Sequence, residues 1–262
     1  MNATASRAAQ ITMAVGAIVL AGAQIAIPLT STSPELSSAV VGALGVVAFG
    51  AAWWTWGIRT ALRLAITIIP LAWAIELLGS RTGVPFGAYE YRAALQPQLL
   101  GVPVIVPIAW FGMGLAAFAT ARALSNRVVV QVILGAGALT AWDIFLDPQM
   151  VGAGFWKWNM PGAWTFAGIP LVNYCGWFVA GMMVMVVCAR FAGTAVSVPL
   201  LGLYTWIAVM QTIGMIAFFD MPLVGACGAI AMGLFWVPAW WRVRNAYREH
   251  VASMTTATSA HA

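Results

Sequence analysis

Three carboxylic acids stand in stretches that are otherwise almost uncharged. Glu76 lies in Trp73-Ala-Ile-Glu76-Leu-Leu-Gly79, and an ionisable group in such surroundings is a functional candidate by default. The competing reading is an interfacial ion pair with Arg81 or Arg92. Asp143 and Asp147, in Trp142-Asp143-Ile-Phe-Leu-Asp147-Pro148, are four residues apart and stack one turn apart on a single helix face. Like charges at that spacing repel, so one of the pair is expected to keep its proton and serve as a general acid. For Asp147 the plain alternative is a helix end beside Pro148. A close aspartate pair can also hold Mg²⁺ for diphosphate chemistry, as in membrane prenyltransferases. Against that, Lys157 is the sole lysine and few arginines share its side of the chain to cradle a diphosphate.

Aromatic residues accompany these acids. Of 14 tryptophans, Trp53, Trp54, Trp56, Trp236, Trp240 and Trp241 read as an interfacial belt. Trp142, Trp156, Trp158, Trp164 and Trp177 fall near the acids instead. Indole faces stabilise cations, by ~2 kcal/mol or more when desolvated, and a second belt is the competing reading. The absent residue types narrow the chemistry. His250 and His261, near the C-terminus, are the only histidines, which excludes histidine-cluster di-iron sites and haem held by a membrane histidine. No glycine-rich dinucleotide fingerprint follows a strand pattern, and no intramembrane lysine could carry a Schiff base. No metal site and no cofactor are expected. Cys175, Cys188 and Cys227 lack metal-like spacing and are expected as buried small hydrophobes. What remains is acid chemistry on a lipophilic substrate, or transport.

The elements that must position these residues are membrane helices. Of 262 residues 62% are hydrophobic and 7% charged, with a mean hydropathy of +0.91, against roughly 25% charged in soluble domains. Apolar runs predict spans near 8–28, 36–57, 62–79, 101–122, 127–146, 169–190, 197–219 and 221–241, each close to the ~20 residues that cross a bilayer. The fold class is therefore all-α, a polytopic transmembrane bundle of about eight spans, with seven as the alternative count. Asp220-Met221-Pro222 separates the last two. Arg7 ahead of an apolar run resembles a signal peptide, but continuation to Pro28 predicts a retained span. Residues 1–250 read as one transmembrane domain and 251–262 as a disordered, Ser/Thr/Ala-rich tail.

Charge is sorted along the chain. If the N-terminus is cytoplasmic, Arg7, Arg59, Arg63, Arg122, Arg127, Arg190, Arg242, Arg244 and Arg248 share that face, and Arg81, Arg92 and Lys157 lie opposite. This predicts a multi-pass protein of the cell's inner (plasma) membrane with both termini cytoplasmic. Glu35, Glu76, Glu90, Asp143, Asp147 and Asp220 then collect at the opposite face. Two long connections there, about 80–100 and 147–168, are rich in aromatics, Gly and Pro, and long loops in compact proteins are commonly functional. The net charge of +5 is spread over helix ends and is no nucleic-acid patch. Membrane lipids are the surrounding partner, and Gly-rich helix faces permit a homo-oligomer.

Several ordered motifs resemble one family. They are Glu76-Leu-Leu-Gly79 with Gly83-Val-Pro-Phe-Gly-Ala-Tyr-Glu-Tyr91, Gly101-Val-Pro-Val-Ile-Val-Pro-Ile-Ala-Trp110, Ala141-Trp-Asp-Ile-Phe-Leu-Asp-Pro148, Trp156-Lys-Trp158 and Gly168-Ile-Pro-Leu-Val-Asn-Tyr-Cys-Gly-Trp177. Across about residues 73–180 the chain resembles the membrane carotenoid biosynthesis protein family, of the bisanhydrobacterioruberin hydratase and γ-carotene 1′,2′-hydratase type. The resemblance implies addition of water to the terminal C1,2 double bond of an acyclic carotenoid ψ-end. A carotenoid is then the substrate, and other carotenoid-pathway enzymes could be partners. Hydrating a trisubstituted alkene needs a proton donor, a site tolerant of a tertiary cation, and a positioned water. On that chemistry Glu76 or Asp143 protonates the alkene, Trp142 and Trp177 stabilise the cation, and Asp147 or Asn173 orients water. Trp156 and Trp158 would join the substrate site, with Tyr89, Tyr91 and Arg81 at its entrance. A carotenoid cyclase, a prenyltransferase or elongase, and a non-catalytic carotenoid or lipid binding or transport protein are the alternatives.

Overall fold

In a solvent without hydrogen-bond partners, a chain this apolar satisfies its backbone as helices. A computed structural model describes residues 3–30 and 33–259. Eight helices within it are long and apolar enough to cross a membrane. They are α1 (Ala3–Leu29), α2 (Pro34–Trp56), α3 (Ile58–Thr82), α4 (Ile105–Leu124), α5 (Val128–Gly152), α6 (Leu171–Phe191), α7 (Val198–Ala217) and α8 (Pro222–Ser259). The protein is a polytopic transmembrane bundle, and eight spans bring the start of α1 and the end of α8 to the same membrane face. The spans fall where the apolar runs predict them. α7 and α8 are divided at the expected break, with Asp220 at φ 54° between them.

Val251 to Ser259, in the stretch expected as a tail, continue α8, where no Gly or Pro interrupts the helix. Residues 260–262, including His261, lie outside the described residues. The cysteines also differ from expectation. Cys188 is buried, whereas Cys175 is exposed and Cys227 partly so, because an apolar neighbourhood in a membrane helix can mean lipid as well as protein.

α4 is the axis of the bundle, packed against α2, α3, α5, α6, α7 and α8. Its small residues permit this close approach: a Cβ on Gly112 would meet Leu44 at 2.8 Å, and one on Gly114 would meet Val184 at 2.9 Å. α1 lies along α2 at the edge.

The two long connections fold back over one end of the bundle. Between α3 and α4 run β1 (Tyr89–Tyr91), β2 (Gln98–Leu99) and β3 (Val102–Pro103); between α5 and α6 run β4 (Trp156–Trp158), β5 (Thr165–Phe166) and β6 (Ile169–Pro170). β1 and β4 pair antiparallel, with Tyr89 opposite Trp158, Glu90 opposite Lys157 and Tyr91 opposite Trp156. Alternation along a strand sends the four aromatics to one side. The other side carries the Glu90–Lys157 ion pair at 2.9 Å.

Candidate active site

The acids meet beneath this β1–β4 lid. α3 is stopped by Gly83 in a left-handed C-cap, φ 77°, whose N–H bonds the Gly79 carbonyl at 2.8 Å. The chain then turns into the bundle and wedges Phe86 between α3 and α6. Glycines make the wedge fit: a Cβ on Gly79 would sit 2.7 Å from the Phe86 ring, and one on Gly176 would sit 2.6 Å from the Pro85 carbonyl. This turn delivers β1 over the end of α3, one side chain above Glu76.

Glu76 is buried, and its carboxyl group is surrounded by donors. The Tyr89 and Tyr91 hydroxyls donate to Oε2 at 2.5 and 2.6 Å, and Trp110 Nε1 donates to Oε1 at 2.8 Å. An ion pair with Arg81 or Arg92 is not how it is held. Burial raises both tyrosine phenols above their usual range, and the neighbouring Glu76 adds to it, so both remain protonated donors at physiological pH.

The second acidic station is the aspartate pair. Asn173 on α6 donates through Nδ2 to both Asp143 Oδ2, at 2.9 Å, and Asp147 Oδ2. Trp156 Nε1 donates to Asp147 Oδ1 at 3.1 Å. One amide hydrogen-bonded to two carboxyl groups holds them side by side, the i, i+4 geometry expected from their spacing. Asp143 is fully buried, and its Oδ1 makes no hydrogen bond among the described residues.

Glu76 and Asp147 face one cavity of about 620 Å³, walled by Phe86, Tyr89, Tyr91, Trp110, Trp156, Trp158 and Trp177 and by apolar residues of α2, α4 and α5. Trp110 and Trp177 stack, with centroids 4.2 Å apart and planes 10° from parallel. Trp142 and Trp177 pack edge to face, with ring centroids 5.9 Å apart.

Most of the residues singled out from sequence therefore converge: Glu76, Asp147, Tyr89, Tyr91, Trp156, Trp158, Asn173 and Trp177 line the cavity. Asp143 stands behind Asp147, and Trp142 lines an adjoining hollow. Arg81 does not reach the site. It is exposed, and its Nη2 donates to the Leu100 carbonyl at 3.2 Å; the same side of the helix is claimed by the β2–β3 turn. Trp164 is 85% exposed and away from the acids. Sequence reasoning missed Trp110 and Phe86 as site residues, although both lie within the motifs quoted above. Nothing in its own neighbourhood sets Trp110 apart from the apolar run 101–122, and only the tertiary structure aims its N–H at Glu76.

Fold and site define a polytopic membrane protein with two carboxyl stations in one aromatic chamber. The chain belongs to the carotenoid biosynthesis protein family, which it matches over residues 36–238. It is also 37% identical over 124 residues to the bisanhydrobacterioruberin hydratase of Haloarcula japonica. That stretch is 45% of this chain and 41% of the relative, so less than half of the relative's length is matched. No solved structure matches the chain.

Proposed function

We propose that this protein is a carotenoid hydratase that adds water across the terminal C1,2 double bond of an acyclic ψ-end. The observation that carries the reading is the pair of differently held carboxyl groups, Glu76 and Asp147, facing one chamber walled by stacked indoles. Three donors on the Glu76 oxygens suit a carboxylate. Two aspartates bonded to one amide suit a pair that carries a single proton.

In the reaction, Asp147 gives that proton to C2, the less substituted alkene carbon, and Asp143 behind it shares the charge left on the pair. The electron pair of the double bond forms the new C–H bond, leaving a tertiary cation at C1. The Trp110 and Trp177 faces and the Glu76 carboxylate stabilise it. Water attacks C1, and its surplus proton returns by way of Glu76 to the aspartate pair, so atoms and charge balance without an oxidant or cofactor. The mainly apolar lining binds the hydrocarbon by burial, at about 25 cal/mol per Å².

The excess of arginine at the face bearing the termini supports placing that face in the cytoplasm and the protein in the cell's inner membrane. Co-expression with an acyclic carotenoid pathway tests the activity. A pigment heavier by one water is expected; unchanged mass with altered retention would overturn the reading in favour of a cyclase.

A further inference from the structure

The acid chamber lies at one end of the bundle, and the hollow adjoining it shows where the remainder of a carotenoid can lie. A second hollow of about 1130 Å³ shares four wall residues with the chamber, Ser37, Val41, Leu146 and Met150. It continues between α1, α2, α5 and α7 past Leu44, Ile207 and Gly214. A third hollow, about 970 Å³, lies further along α1, α2 and α7, walled by Met13, Ala17, Val47, Gly202 and Leu203. The positions step evenly: Ser37, Val41, Leu44 and Val47 on α2, and Pro199, Leu203, Ile207, Met210 and Gly214 along α7, with Phe218 at its C-cap. Steps of three and four keep each set on one helix face.

From Pro199 to Phe218, at ~1.5 Å per residue, that face is about 28 Å long, nearly the ~30 Å of the hydrocarbon core. Between the second and third hollows, Trp206 on α7 donates through Nε1 to Gln24 Oε1 on α1 at 2.7 Å. Trp206 is 40% exposed, so this bond crosses the seam on its lipid-facing side, while Leu20, Leu44, Val47, Leu203 and Ile207 form a buried wall behind it.

We infer that these hollows form one groove along the α1–α7 seam that holds the polyene shaft of the carotenoid, with the reacting end in the acid chamber. The inference rests on the hydratase reading for the identity of the ligand. A long conjugated polyene is a stiff rod, which suits a straight groove, and a flexible acyl chain would gain less from one. Continuity with the chamber at Ser37, Val41, Leu146 and Met150 is what selects the substrate over bulk lipid.

Gly202 offers the test, because a Cβ built there meets nothing within 4 Å and a larger side chain would project into the groove. Gly202→Phe and Val209→Phe, the latter on the lipid-facing side of α7, are each purified in detergent and titrated with lycopene, followed by its visible absorption and induced circular dichroism. We expect at least a tenfold weaker affinity in Gly202→Phe and wild-type affinity in Val209→Phe. Equal affinity in wild type and Gly202→Phe would overturn the groove, as would loss of bound phospholipid from Gly202→Phe with lycopene binding intact. If lycopene binds, is lost on Gly202→Phe and never gains water, the groove stands and the hydratase reading falls. If Gly202→Phe hydrates lycopene with an unchanged KM, the hydratase reading stands and the groove falls.

Discussion

At the acidic end of the bundle, buried Glu76 meets two phenols and an indole at 2.5 to 2.8 Å. At the opposite end, buried Arg122 donates from Nη2 to the Gln131 side-chain Oε1 at 3.5 Å and lies 4.8 Å from the Phe118 ring centre. Its Nη1 makes no hydrogen bond among the described residues. Both groups carry the cost of a desolvated charge, but only one is met by three short bonds converging from two separate elements, β1 and α4. Such convergence fixes a charge in place ahead of a reaction. The arginine, in the last turn of α4, instead favours the negative end of the helix dipole and the positively charged membrane face. Depth and charge alone do not mark a site; the completeness of the surrounding donor set does.

Substitutions at the two ends should separate sharply. Asp147→Asn and Glu76→Gln should each lower product formation by ~10²-fold or more, the scale of a lost general acid or a lost electrostatic partner. Pigment analysis of co-expressing cells reads this, and full activity in both variants would break the contrast. Tyr89→Phe and Tyr91→Phe should each cost about 10- to 100-fold, since a hydrogen bond to a charged group is worth ~1.5–3 kcal/mol. With both phenols raised above their usual value of 10.0, neither should lose its proton below about pH 10. An alkaline limb in the activity profile below that pH should therefore survive both substitutions unshifted. Arg122→Met should leave turnover within about threefold and stability unchanged or improved, because replacing a poorly paired buried charge by an apolar side chain of similar volume is often neutral or favourable. Thermal unfolding in detergent and pigment yield check it together.

Much of the bundle was legible because the bilayer forces a simple code, in which apolar length gives the spans. Glu76, Asp143 and Asp147 were legible for the same reason, as charges the code does not require. The Asp143–Asp147 contact followed from helix spacing alone. The lid was not legible, because Tyr89-Glu90-Tyr91 and Trp156-Lys157-Trp158 are strands of three residues, too short for a periodic signal, and Glu90 and Lys157, 67 positions apart along the chain, are paired only by tertiary folding. Arg81 was placed at the entrance by its nearness to Glu76 along the chain, but the helix carries its side chain toward the β2–β3 turn. Trp110 is the reverse case, far from Glu76 in sequence and bonded to it in space.

The central claim is that the acidic chamber protonates a carbon and captures water at its neighbour. The most direct measurement is to incubate the purified protein with an acyclic carotenoid in D₂O enriched in oxygen-18, then locate both labels in the product. The account predicts one non-exchangeable deuterium at C2 and labelled oxygen on C1, both lost in Asp147→Asn. A product carrying unlabelled oxygen, or no deuterium on carbon, would contradict it.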